Sequence, residues 1–282
     1  MAARRSVVLG GAASLAAILG TGCATLGRTR EPPPVILVHG AWHGSWCWEP
    51  VATLLTQAGH AVYMPTLTGL GRRSDEMSAS IGLETHIADV ASLFERRGLR
   101  NVVLVGHSYG GMIVTAIADR FKTAVGHVLY LDAALPDNGD SMVSYDPNAT
   151  PQSIAATKAA LTALAPDGVA MQPLPPEAFG IPPDHPRYAW VAERLTPHPL
   201  KTWFDPVTLT DGGSDGLPRT YIHCTDPVLP NAAFPAIAAL VRDDPTWDYY
   251  EMQTGHDAMI TAPVELADNI RMVAGTLPIV LT

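Results

Sequence analysis

The sequence predicts an α/β fold: a mostly parallel sheet covered by helices on both faces, with an inserted cap. Three observations predict it. Short apolar runs, ended by glycine or by an acid, alternate with stretches of helical spacing. The runs are apolar on both faces, as strands buried in a parallel sheet must be. The alternation stops for about 85 residues and then resumes, and an insertion of that length without a role would be unusual.

Pro33–Gly40 reads as the first strand, and Glu49–Ala58 as a helix stopped by Gly59. Ala61–Pro65 is the second strand, followed by the glycine-rich turn Thr68–Gly71. Glu84–Arg97 is helical, with Ile87, Val90, Ala91 and Phe94 on one face and Gly98 closing it. Asn101–Val105 is a third strand, Met112–Phe121 a helix and Val125–Leu131 a fourth strand. Leu135–Pro218 has no strong strand signal, although Pro151–Leu164 can be helical. Then come strand Arg219–Cys224, helix Ala232–Arg242, strand Tyr249–Met252 and helix Glu265–Ala274. The insertion is expected to lie over the C-terminal ends of the strands, where such sheets bind ligands.

Composition narrows the function. The chain of 282 residues is 47% hydrophobic and 16% charged, too apolar for a disordered protein. Its net charge of −9 is opposite to that expected of a nucleic-acid binder. There are 25 prolines, and 14 of them fall in Leu135–Pro218, which they stiffen. Besides Cys23, the cysteines are Cys47 and Cys224, expected as separate buried thiols. No Cys-x-x-Cys or His/Cys cluster points to a metal.

Residues 1–23 read as an export signal. Arg4 and Arg5 precede an apolar run from Val7 to Thr21, with no acid before Glu31. Arg4-Arg5-Ser6-Val7-Val8-Leu9 has the form of a twin-arginine (Tat) signal. Cys23 stands where a lipoprotein would be processed and lipidated, with the usual leucine displaced by one position. Removal of residues 1–22 would take the charge to −11. Residues 24–34, ending in three prolines, form a linker. The expected location is periplasmic or secreted, with any membrane tie made through Cys23.

The chemistry concentrates in Gly106-His107-Ser108-Tyr109-Gly110-Gly111, between an apolar strand and a helix. That context makes Gly-x-Ser-x-Gly a nucleophile elbow, with Ser108 projecting above the sheet. A phosphate loop is excluded, because no Lys-Ser/Thr pair follows the glycines. A serine needs a base, and His256, after the last strand, is the candidate. The oxyanion needs backbone N–H groups, expected from Tyr109 and from Ala41 in His39-Gly40-Ala41-Trp42. Trp42 and His43 are the candidate substrate-binding residues, while His39 and His107 are expected to pack. Two carboxylates end strands and could orient His256: Asp132 and, as the alternative acid, Asp226. Asp132 is favoured, because it closes an unbroken apolar strand and its buried charge would need a partner.

With these residues in place, the chain resembles the serine α/β-hydrolases. Within them it is similar to the small-ester hydrolases related to plant methyl esterases and hydroxynitrile lyases. The resemblance rests on His39–Trp46, Gly106–Gly111, Leu131–Pro136 and Gly255–Met259. It implies an α/β-hydrolase core over residues 35–134 and 219–282 and a proline-rich cap over 135–218. It also implies hydrolysis of a small or medium apolar carboxylic ester through an acyl-serine, with no cofactor and no partner beyond that ester. Related hydrolases with an acid after the earlier strand support Asp132. A lactonase or thioesterase would use the same triad. The lyases place a lysine near the catalytic histidine, and Lys201 is the only lysine late in this chain. Dehalogenases and epoxide hydrolases carry aspartate where Ser108 stands.

Overall fold

The computed structural model describes residues 31–231 and 233–276. The expected export signal with Arg4, Arg5 and Cys23, the start of the expected linker and the last six residues lie outside the described residues.

Apolar runs rich in β-branched residues, Val35–Val38, Val102–His107 and Val125–Leu131, form the central strands, and shorter or more polar segments form the others. In chain order the strands are β1 (Val35–Val38), β2 (Val62–Tyr63), β3 (Val102–His107) and β4 (Val125–Leu131), then β5 (Ala170–Met171) and β6 (His198–Pro199), then β7 (Arg219–Cys224) and β8 (Asp248–Met252). Six of them make one parallel sheet in the order β2-β1-β3-β4-β7-β8. The helices between them are α1 (Glu49–Gln57), α2 (Leu83–Arg97) and α3 (Gly110–Arg120), followed by α4 (Pro151–Ala163), α5 (Tyr188–Ala192) and α6 (Lys201–Phe204) in the insertion. After β7 come α7 (Ala233–Arg242), α8 (Ala258–Thr261) and α9 (Pro263–Val273). The strand alternation divides the core in two. Ile36, Val38, Leu104, Val128 and Tyr130 pack on the face covered by α2, α3 and α7. Val35, Leu37, Val105, Leu129 and Ile222 pack on the opposite face, against α1, α8 and α9. Each such fully buried aliphatic side chain contributes about 1.5–3 kcal/mol, so the sheet is a firm base for the loops at its C-terminal edge.

Two local expectations need correcting. β8 is not apolar on both faces: it is an edge strand, and Asp248 and Glu251 are exposed. The insertion is not strand-free, since β5 and β6 pair as a small antiparallel ribbon. Neither segment is long enough to leave a period-2 signature.

The segment 135–218 is fastened to the loops above the sheet. Thr196 N–H donates to the Trp42 carbonyl at 2.9 Å, and the Trp42 indole N–H donates to the Met171 carbonyl at 3.2 Å. Asp257 N–H donates to the Phe179 carbonyl at 3.0 Å. Beside it the chain crosses at Gly255, where a Cβ would stand 2.6 Å from the Gly180 carbonyl oxygen. Glycine is required there by close approach alone.

Candidate active site

Ser108 sits between β3 and α3 in the left-handed region, at φ +55°. The turn is held on both sides: Ser108 N–H donates to the Leu131 carbonyl at 3.2 Å, and Ala134 N–H donates to the Ser108 carbonyl at 3.0 Å. Ser108 is half-buried while His107 and Tyr109 are buried. Trp42 at φ +62° and Asp132 at φ +41° are also left-handed. Three non-glycine residues in this costly region converge on one group of loops, a concentration typical of functional sites.

Asp132 is fully buried at the end of β4, and its N–H donates to the Ile222 carbonyl of β7 at 2.7 Å. His256 Nδ1–H donates to Asp132 Oδ2 at 2.6 Å, a charge-assisted bond. His256 therefore presents Nε2 as its remaining nitrogen. Its ring is clamped between Phe234, nearly parallel at 5.5 Å, and His107 at 4.5 Å. His107 Nε2–H donates to the His256 carbonyl at 3.0 Å, so the residue beside Ser108 anchors the histidine loop directly. Asp226 is exposed, and its carboxylate bonds no histidine among the described residues. Of the two aspartates, the structure brings only Asp132 to His256.

The loop after β1 closes over the elbow. A Cβ on Gly40 would stand 2.9 Å from Ser108 Cβ, so only glycine admits this approach. Trp42 N–H is already engaged by His198 Nδ1 at 3.3 Å. The N–H groups of Ala41 and Tyr109 donate to no backbone carbonyl among the described residues, which leaves both free for an oxyanion.

The sequence reading assigns His43 to substrate contact, and its position argues otherwise. It is 1% exposed, and both ring nitrogens donate within the protein: Nδ1–H to the Ala41 carbonyl at 2.7 Å and Nε2–H to Asp257 Oδ2 at 2.9 Å. Acceptors on both nitrogens require the imidazolium form, and the adjacent Asp257 charge overcomes burial to raise its pKa. The pair His43–Asp257 thus ties the oxyanion loop to the histidine loop. Trp42 is likewise a pin: it is 5% exposed, packed on Phe179 and Trp203 at 5.8 and 5.7 Å. Sequence reasoning misses His43–Asp257 as a pair and misses His223, whose Nδ1–H reaches Asp132 Oδ1 at 3.0 Å. The available signal for His223 is a lone titratable residue inside an otherwise buried strand. Cys47 and Cys224 are both buried free thiols.

His39, His86 and His107 are buried and neutral. His39 accepts from Leu67 N–H and His86 accepts from the Tyr109 hydroxyl. Burial pulls His39 to about 3, His86 to about 4 and His107 to about 3. In the unfolded chain each would titrate near 6.5. Between pH 6 and 5 the unfolded state binds three protons that the folded state refuses, so stability falls as pH falls. Each histidine contributes about 1.4 kcal/mol per pH unit in this window, or about 4 kcal/mol per unit together. Asp132, held down to about 2, loses its contribution only below the unfolded carboxylate range. His43 acts oppositely, its stabilisation being complete below pH 6.5 and lost as pH rises through its raised value. Guanidinium unfolding at pH 7, 6 and 5 should show this loss. Constant stability across that range would contradict the assignment of these histidines as buried and neutral.

Residues 35–269 match the model of the alpha/beta hydrolase family. The carbendazim hydrolyzing esterase of Nocardioides sp. (strain SG-4G) is 40% identical over 240 residues, covering 83% of this chain and 97% of that protein. Methylesterase 9 of Arabidopsis thaliana is 26% identical over 255 residues, covering 86% of this chain and 98% of its own. Among solved structures, an extracellular alpha/beta-hydrolase from a Paenibacillus species superposes with a TM-score of 0.73 at 20% identity, over 86% of this chain and 99% of that one.

Proposed function

The chain belongs to the alpha/beta hydrolase family, and on that premise we propose that it hydrolyses small or medium apolar carboxylic esters through an acyl-serine at Ser108. The observation that carries this reading is the buried Asp132–His256 pair, whose imidazole packs on His107, the residue before Ser108 and its left-handed elbow. Ser108 Oγ attacks the ester carbonyl while His256 Nε2 takes its proton. The imidazolium so formed is stabilised by the Asp132 carboxylate at Nδ1. The oxyanion is held by the N–H groups of Ala41 and Tyr109, and the N-terminal end of α3 adds a favourable dipole. His256 returns the proton to the leaving alcohol. Water then repeats the sequence on the acyl-serine and frees the acid. The parts needed are all side chains and backbone groups, so no cofactor enters the scheme.

A cleft of about 430 Å³ opens between the cap and α7, with Met142, Val143, Trp203 and Ala233 on one part of its lining and Asp146, Ser153, Thr157 and Asn231 on the rest. Trp203 extends from this cleft toward the rings of Trp42 and Tyr109, and Ala233 adjoins Phe234, which covers His256. We assign the Trp203 end of this cleft to the ester's apolar portion. Trp190 instead packs edge-on against Trp46, with the Arg194 guanidinium 4.8 Å from its ring. The test is a substrate panel for the purified full chain: p-nitrophenyl esters of increasing acyl length, methyl esters, carbendazim, a lactone, a thioester and mandelonitrile. Turnover of short esters is expected. Cyanide release from mandelonitrile without ester turnover would overturn the reading in favour of a lyase. Lys201, the only late lysine, is paired with Asp205 at 2.5 Å.

Export to the periplasm or medium is part of the same proposal, supported by Arg4-Arg5, the following apolar run and Cys23. Fractionation of cells making the full chain and its Cys23→Ala variant distinguishes a lipid-tethered from a released enzyme. A wholly cytoplasmic product would contradict export.

A further inference from the structure

We propose that His223 is a positioning residue for the triad, holding the second oxygen of Asp132 so that the first stays aimed at His256. This inference rests on the acyl-serine reading above.

Asp132 carries an imidazole on each oxygen. His256 Nδ1–H occupies Oδ2 at 2.6 Å and His223 Nδ1–H occupies Oδ1 at 3.0 Å. Both donors are buried, as is the carboxylate. The other contact to Oδ1, from Cys224 N–H, is long at 3.4 Å. Without His223 a buried carboxylate oxygen would therefore keep only a weak partner, and the carboxyl plane would lose its second fixed point. A carboxylate held at one oxygen can rotate about its Cβ–Cγ bond and tilt the bond to His256.

The electrostatics point the same way. Titratable groups around Asp132 are Tyr221 and Cys224 on β7, Tyr145 in the cap, and His107 on β3. Burial pushes both tyrosines and the thiol up and His107 down to about 3, so all four are neutral near pH 7. The one other buried charge nearby, Asp257, is answered by His43. The Asp132 charge is thus shared between two imidazoles. Removing the His223 donor leaves that charge with His256 as its single imidazole partner.

The first measurement needs no variant or substrate. ¹⁵N NMR of the full-length wild-type protein should show a proton on His223 Nδ1, and a proton on Nε2 alone would overturn the proposal. The second compares His223→Leu, which has no donor, with His223→Asn, whose amide N–H can stand near Nδ1. The Leu variant should lose about 10- to 100-fold in kcat, the range typical for groups that orient a histidine from behind, with KM little changed. The Asn variant should recover most of the kcat. Wild-type kcat in the Leu variant, or equal impairment in Leu and Asn, would overturn the role. If the Leu variant does not fold, the wild-type tautomer decides. Failure of the functional reading would show separately, as a wild-type protein that turns over no ester while His223 carries its proton on Nδ1.

Discussion

Ser108→Ala is expected to lower kcat on a short p-nitrophenyl ester by about 10⁵- to 10⁶-fold, the loss seen when a triad nucleophile is removed from a serine hydrolase. The residual rate should be that of an oxyanion site without a nucleophile, because the Ala41 and Tyr109 N–H groups do not depend on the serine hydroxyl. KM should change little and folding should be preserved. Alanine is strained in the left-handed conformation that Ser108 adopts at φ +55°, but serine bears the same strain. A variant retaining more than about 1% of the wild-type rate would place the nucleophile elsewhere.

Asp132→Asn is expected to cost about 10⁴-fold in kcat, or about 5.5 kcal/mol of transition-state stabilisation. The reason is specific to this site. Two imidazole N–H groups converge on the carboxylate, and asparagine offers one carbonyl oxygen to satisfy them. The other side of the amide is an N–H₂ group that faces a donor. Either His256 flips its tautomer, losing Nε2 as a base, or His223 is left unpaired and the amide is pulled out of line. Asp226→Asn should stay within about twofold of wild type, in keeping with the small effect of an exposed carboxylate that touches no histidine. Matched kinetics of the two variants decide between the acids that the sequence leaves open.

Much of this site is legible in the amino-acid sequence. The apolar runs locate β1, β4 and β7 within a residue or two, because a strand buried on both faces has few other ways to be written. Ser108 is legible because an elbow needs glycines at fixed offsets between a strand and a helix. His256 follows from chain order. What stays hidden depends on distances across the sheet. The choice of Asp132 over Asp226 turns on which strand end faces the histidine loop, and β4 and β7 are neighbours with nearly equal claims. His43 reads as a substrate contact because it lies in the oxyanion loop. Its true partner, Asp257, is 214 residues away and is found only by folding the chain. His223 is hidden for the same reason, and the small ribbon of β5 and β6 is too short to carry a pattern.

The central claim is that Ser108 is the nucleophile and is activated through His256 by Asp132. It is tested most directly by covalent labelling with a fluorophosphonate, followed by peptide mass spectrometry and measured labelling rates. One adduct is predicted, on the peptide carrying Ser108. It should vanish in Ser108→Ala, slow by orders of magnitude in Asp132→Asn and form at the wild-type rate in Asp226→Asn. An adduct on another residue, or labelling of Asp132→Asn as fast as wild type with Asp226→Asn slowed, would contradict the account.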